Sequence, residues 1–599
     1  MGSIRFLPYA VPLLRTTRSL LALWCFLCAG AAAPAQSLPP WEWPTPASWS
    51  SNSLRIANPT NATQILRHGE GAILNCATNW RIYRLTASTG TWTTNSTGFG
   101  AVTNVWPTGY YIIEAVTPER MTFTVLPADY GRQARLGNSI MPANDSVLTP
   151  RQNILQLGWL RGGANWNRIT SSNDFGMLPI TYVEKISNVW THTRTFVSSN
   201  YNEAVFSEGV YNFTPISNEL VNAALNGVTN VFYQLSGWPR YFNTPTQRTQ
   251  QAYQRYAEDV FDYLSKHPLS NLVSAISLWN EPADSTIWGC TPAWPWTVPC
   301  ANFWAFVPSR IETNAANGGW PLTYSGNFYR WLGDMHAPLQ AALTNTFGRM
   351  IPLTVFNGNA WSITLGAAFT MTNSASYVPG SVKGINNHDY EFIGRSDEPT
   401  TSWITRSYDG MAQRMRELSS SNAVYIVEEQ AVGWATDSTR TNSLLGYSYR
   451  NNTTTTNAQS FARADWWQTT GDNVKKVVQG WRHGAIFIMH AAIRDDVRNA
   501  TDGNYEGWFA VNRGPKPATV SFVLAANRLN GYTFESFVSN GVFRAYTFTN
   551  ATQRQTIEWM LTGTSTNLPR AGAVDVWGDP YPDRLTEAPR FFQPSRPSE

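Results

Sequence analysis

Charge is scarce in this sequence. Only 14% of its 599 residues are Asp, Glu, Lys or Arg, and the signs nearly cancel at a formal +4. Such a chain lacks the basic surface that nucleic-acid binding requires, so no nucleic-acid partner is expected. Histidine is scarcer still. His68, His192, His267, His336, His388, His483 and His490 show no metal-ligand spacing. No Gly-rich phosphate loop precedes a helical pattern, and no Gly-x-Ser-x-Gly elbow occurs. Metal, nucleotide and serine-hydrolase mechanisms have no support, and no cofactor is expected. After the apolar run at the N terminus, no second run of membrane-spanning length follows.

Residues 1–35 read as a Sec-type signal peptide. Arg5, Arg15 and Arg18 supply positive charge, Leu20 to Ala33 form an apolar core, and Ala33-Pro34-Ala35 offers a cleavage site. Removing it leaves a net charge of about +1, with no membrane span and a secreted or periplasmic location. Cys25 and Cys28 leave with it, and Cys76, Cys290 and Cys300 remain. Export permits disulfides. Cys290 and Cys300 bracket a loop rich in Pro and Trp and are expected to pair, constraining the unfolded chain by about 2–3 kcal/mol. Cys76 is expected as a buried thiol.

Tryptophan, by contrast, is abundant, with 27 in the chain. Most are expected in β-rich cores, but an exposed Trp can also stack on the apolar face of a sugar ring. The chain is too long for one core. Residues 36–130 carry short alternating strands, such as Arg81–Leu85 and Met121–Val125, and read as an N-terminal β-sandwich. Residues 131–530 alternate strands with amphipathic helices, the pattern of parallel α/β architecture. Eight strands are predicted near Ala134–Met141, Leu157–Gly163, Val228–Leu235, Leu272–Trp279, Met350–Phe356, Val382–Asp389, Val424–Glu428 and Ala485–His490. Helices are predicted over Thr249–His267, Asn327–Asn345 and Trp403–Ser419, with a last one near Pro517–Leu529. The fold class is therefore α/β, a (β/α)8 TIM barrel. Residues 531–599 return to β, as a C-terminal β-sandwich with a tail expected to be loose from Asp583.

The most informative stretch closes the fourth of these strands. An apolar run from Leu272 to Leu278 ends in Trp279-Asn280-Glu281-Pro282. A carboxylate at the carboxyl end of a buried strand is costly to place, and in a parallel barrel that end is where active sites sit. This stretch resembles the acid/base strand of the clan of retaining glycoside hydrolases built on (β/α)8 barrels. The seventh strand, Val424 to Val427, runs into Glu428-Glu429-Gln430 and resembles the clan's nucleophile strand. Family 39 looks closest, through Leu157-Gly-Trp-Leu-Arg161 and Trp166.

The resemblance implies a secreted enzyme acting on a poly- or oligosaccharide. Glu281 would protonate the glycosidic oxygen and Glu428 would attack the anomeric carbon. Successive strand residues face opposite ways, so only one of Glu428 and Glu429 can face the mouth in a regular strand, and alignment with the clan's strand favours Glu428. Val427 and Gln430 depart from the clan's usual residues beside the nucleophile. Asn280 would bond a sugar hydroxyl and Arg161 would bond the nucleophile. His388 and Tyr390 would frame it. Trp238, Trp434 and Trp508, each just past a strand end, would line the cleft. Trp288, Trp294 and Trp296 lie inside or beside the proposed bridge and would form a rigid wall near Glu281. Two alternatives stand beside hydrolysis: a transglycosylase using the same residues, and a non-catalytic carbohydrate-binding protein on a degenerate barrel.

Overall fold

A computed structural model describes residues 54–58, 64–69, 72–76, 79–88, 91–100, 102–104, 106–115, 120–139, 154–165, 180–196, 210–236, 247–278, 311–313, 321–323, 326–355, 378, 380–389, 424–430, 466–490, 492–494, 496–499, 502–504, 507–509, 515, 517–561 and 568–593. The signal segment, the helix expected at Trp403–Ser419 and the Cys290–Cys300 loop lie outside them. No helix among the described residues is long and apolar enough to cross a membrane.

All eight predicted barrel strands are present: β1 (Gln133–Ser139), β2 (Leu157–Asn165), β3 (Asn230–Ser236), β4 (Val273–Leu278), β5 (Leu353–Val355), β6 (Gly384–Asp389), β7 (Val424–Gln430) and β8 (Ala485–His490). Each pairs in parallel with the next, and β8 pairs with β1, so the barrel closes. Its interior is filled by Trp159, Phe232, Ala275, Ile426, Phe487 and Met489. Trp159 stacks on Phe487 with ring centroids 4.4 Å apart. Room for that ring comes from Gly137, where a Cβ would stand 3.0 Å from the Trp159 Cβ and 3.3 Å from Met489 Cε.

The opposite strand faces pack on helices. α1 (Thr214–Leu225), α2 (Gln247–Lys266), α3 (Gly326–Phe347), α4 (Trp466–Arg482) and α5 (Pro517–Leu529) are described. α2 buries Tyr253, Tyr256, Ala257, Val260, Phe261 and Leu264, the 3–4 spacing of one helical face. Tyr233 and Tyr253 donate to the carbonyls of Ile216 and Leu235, fastening helix to strand without burying an unpaired hydroxyl. His336 on α3 is buried against the Leu353 carbonyl, and burial pushes its imidazole down to about 4, so it is neutral near pH 7.

The N-terminal region is a five-stranded sheet with a three-stranded sheet of Leu54–Asn58, Ala72–Cys76 and Val102–Asn104. One face of the larger sheet buries Leu66, Trp80, Ile82, Tyr111, Ile113, Phe123 and Val125. From its other face Tyr110 donates to the Pro515 carbonyl at 2.9 Å, just before α5. The C-terminal region is a four-stranded antiparallel sheet of Thr533–Asn540, Phe543–Thr549, Arg554–Met560 and Arg590–Phe592.

The tail is not loose over its described part. Leu585, Arg590 and Phe591 are fully buried. Arg590 sends Nε and Nη2 to Glu558 Oε2 at 3.0 and 2.6 Å and Nη1 to the Leu568 carbonyl at 2.7 Å. Arg570 takes the other Glu558 oxygen at 3.1 Å. Charge and proline suggest exposure there, but the charge is matched by an acid on the neighbouring strand.

Between α5 and the final strand, Asp575 closes a tight turn. Its Oδ1 accepts the backbone N–H of Trp577 and of Asp579. Asp579 is clasped by Arg84 of the N-terminal sheet through two contacts of 2.7 and 2.8 Å. Burial, with the Asp579 charge beside it, pushes the Asp575 carboxyl up to about 6, and its Oδ2 has no hydrogen-bond partner.

Two outcomes are expected. Arg590→Met leaves a buried acid short of its principal partner and should lower the stability of the C-terminal sheet by about 3 kcal/mol, read by urea unfolding followed at its Trp559. A raised folded pKa means the native state binds the extra proton, so stability is lost as pH rises from about 4 to about 6. Asp575→Asn keeps the Oδ1 acceptor and removes that loss. Its melting temperature should exceed the parent's at pH 7.5 and match it at pH 4; a lower value at both would show that the charge is needed.

Candidate active site

The eight strands run in parallel, so their carboxyl ends share one mouth. Stepping two residues along a strand keeps the same face. The apolar interior at Trp159, Phe232 and Ala275 is therefore followed toward the mouth by Arg161, Gln234 and Ser277. Gln234, Ser277 and Thr354 are successive register partners across β3, β4 and β5, and each is buried. Asn386 on β6, the register partner of Ile426, is buried as well. The interior thus changes from apolar to polar within one step.

Arg161, the register partner of Phe232, reaches up to that polar level. Its Nη2 donates to Gln234 Oε1 at 2.7 Å. The next residue on the same face of β2 is Gly163, which has no side chain of its own. The end of β2 is fixed from outside, where the Gly163 N–H donates to Glu219 Oε2 at 3.2 Å. A side chain at Gly162 would collide with Tyr233, whose ring carbon lies 2.5 Å from the ideal Cβ position.

Glu428 and Glu429 lie within β7, and His388 within β6. The two strands pair regularly up to Asn387 with Val427, then His388 pairs with Glu429. On the other side Val427 pairs with Ile488 and Gln430 with His490. An extra residue therefore enters β7 at the two glutamates. The regular alternation expected from sequence does not hold there, because a bulge breaks the two-residue phase. β4 ends at Leu278, three positions before Glu281. Trp508 lies on a short strand, Gly507–Phe509, that pairs with Ala492–Arg494 just beyond β8. Asn280, Glu281, Tyr390, Trp238 and Trp434 lie outside the described residues.

Of the sequence-predicted site residues, the fold brings the strands of Arg161, His388 and Glu428 to one barrel. Gln234, Ser277, Thr354 and Asn386 were missed. The signal was available for Gln234, Ser277 and Thr354, each a polar residue inside a strand otherwise rich in apolar ones, but not for Asn386, whose strand Gly384–Asp389 is mostly polar. Among the described residues no group of His, Cys, Asp and Glu could hold a metal ion.

No family model matches the sequence, and no curated protein does. Among solved structures, a family 39 glycoside hydrolase from the gut symbiont Bacteroides cellulosilyticus is similar over 90% of this chain and 99% of that one, at 12% identity and a TM-score of 0.55. A glucosidase from Croceicoccus marinus matches over 74% and 79% of the two chains, at 11% identity and a TM-score of 0.40. A family 30 xylanase from Clostridium acetobutylicum matches over 78% and 94%, at 11% identity and a TM-score of 0.38. The first match shows a shared fold over nearly the whole chain; the other two carry no argument at those scores.

The Thr354 hydroxyl is fully buried and has no hydrogen-bond partner. Thr354→Val removes a polar atom that gains nothing from the protein. Its melting temperature should equal or exceed the parent's, by the equivalent of about 1 kcal/mol at most. A clear drop on thermal unfolding would show that the hydroxyl is bonded after all.

Proposed function

We propose that this chain is an exported retaining glycoside hydrolase that cleaves a poly- or oligosaccharide through a glycosyl-enzyme intermediate. The observation that carries this reading is the polar level directly above the apolar barrel interior. Arg161 lies two residues beyond Trp159, as Gln234 lies two beyond Phe232, and the bulge that carries Glu428 and Glu429 follows Ile426, a member of the same interior cluster. Glu281 follows the last residue of β4 by three positions in the sequence. In this reading the two carboxylates stand at the carboxyl ends of strands four and seven. The shared fold with the family 39 enzyme supports the same reading.

Glu281, protonated, gives its proton to the glycosidic oxygen while Glu428 attacks the anomeric carbon. Water then enters, Glu281 takes its proton, and the bond to Glu428 breaks. The two carboxyl groups need a separation of about 5–5.5 Å and opposite electrostatic environments. Arg161 supplies positive charge that keeps a carboxylate ionised. Asn280, His388 and Tyr390 hold the sugar and the nucleophile, and Trp238, Trp434 and Trp508 line the cleft. In this reading the N-terminal sheets form a β-sandwich and the C-terminal sheet is part of another, both packed on the barrel. Residues 1–35 direct export.

Glu281→Gln should lose cleavage of substrates with poor leaving groups and keep part of the turnover on activated aryl glycosides, which need less protonation. Glu428→Ala should lose several orders of magnitude, with partial rescue by azide, while Glu429→Ala keeps most of its turnover. Rescue of Glu429→Ala instead would move the nucleophile by one position across the bulge. Equal loss on both substrate types in Glu281→Gln would remove it from the acid role.

A further inference from the structure

Gln234 is buried at 4% exposure and has no place among the residues that the proposed reaction requires. It stands on β3 in register with Gly163 of β2 and Ser277 of β4. Its Oε1 accepts from Arg161 Nη2 at 2.7 Å. A guanidinium has five N–H donors in a rigid fork, so fixing one of them orients the rest. The chemical type of the acceptor matters. A carboxylate in this position would form an ion pair with Arg161 and cancel much of its field. An amide oxygen holds the same geometry and leaves the positive charge intact. Trp159, Phe232, Ser277 and Thr354, next to Arg161 and Gln234 along the strands or in register, are not ionisable.

We infer that Gln234 is a positioning residue: a neutral acceptor that orients Arg161 and leaves its charge for the nucleophilic carboxylate on β7. This rests on the reaction proposed above. Gln234 itself touches neither the sugar nor the breaking bond. Its contribution is to aim Arg161 and to avoid neutralising it.

Gln234→Glu and Gln234→Leu test this in the full chain. The measurements are the pH dependence of kcat/KM on an activated aryl glycoside and the melting temperature of each variant. In Gln234→Glu the acid limb should move up by about one pH unit, because Arg161 is now paired and no longer holds the nucleophile ionised. In Gln234→Leu the guanidinium loses its anchor, and kcat/KM should fall about tenfold with the acid limb displaced in the same direction. A merely structural glutamine would change the melting temperature and the active fraction while leaving the acid limb where it is. An unmoved limb in Gln234→Glu overturns the inference; if that variant fails to fold, an unmoved limb in Gln234→Leu does so. Azide rescue of Glu428→Ala and Glu429→Ala, measured alongside, separates the two levels. Rescue with an unmoved limb overturns the role of Gln234 alone. No rescue at either glutamate, or a parent enzyme that cleaves no aryl glycoside, overturns the catalytic reading and this inference with it.

Discussion

The parallel pairing of β8 with β1 is the contact on which the rest of the molecule depends. It joins Ile488, Met489 and His490 to Leu136, Gly137 and Asn138, residues separated by some three hundred and fifty positions of chain. Loop-closure entropy grows only logarithmically with length, so the separation itself costs little more than a short loop would. What it demands is a seam that packs. Gly137 supplies it by giving up its side chain to Trp159 and Met489. Without closure Trp159 would not meet Phe487, the two edges would stay unpaired, and the carboxyl ends of the strands would not surround one mouth.

That seam is covered from outside by α5, which also ties the flanking sheets to the barrel. Asn527 accepts from Gln133 at the start of β1, and Trp481 of α4 donates to the Leu529 carbonyl. Arg528 reaches the carbonyls of Asp575 and Val576 in the turn that Asp579 shares with Arg84. Tyr110 bonds Pro515 just ahead of the helix. α5 therefore meets three bodies at once, and the Arg84–Asp579 pair joins the two β regions directly. Surface ion pairs contribute little alone, but this one is bidentate and partly buried, which makes it a clamp with defined geometry.

Much of this was legible in the sequence, and the failures have physical causes. All eight barrel strands were found because runs such as Leu272 to Leu278 are apolar, short and bounded by turn residues. The hairpin Ile180–Ile186 and Val189–Phe196 was missed, although its turn residues Ser187 and Asn188 take φ of 48° and 63°, the geometry of a two-residue hairpin loop. Polar residues on both faces, as in Thr-His-Thr-Arg, hid its alternation. α4 was not singled out, although Val474, Val477, Val478 and Trp481 recur at helical spacing; its polar residues from Thr470 to Gln479 are buried along with them. Even Lys475 is enclosed, with Asp472 as its partner at 3.3 Å. The bulge at Glu428 and Glu429 could not be read at all, since it depends on the register of β6 and β8 against β7.

In the proposed reading, the site and the apolar filling of the barrel are separated along each strand by a single two-residue step. Below it, Trp159, Phe232, Ile426 and Phe487 exclude water and fix the strands. Above it, Arg161, Gln234, Ser277 and Thr354 are polar side chains held on the same rigid backbone. Burying such groups costs free energy unless each finds a partner, so a fold selected for stability alone would continue the apolar filling. Arg161 finds Gln234, yet the Thr354 hydroxyl finds none. In the proposed reading, packing at that level is exchanged for chemistry, and an incoming polar ligand supplies the partner that the Thr354 hydroxyl lacks.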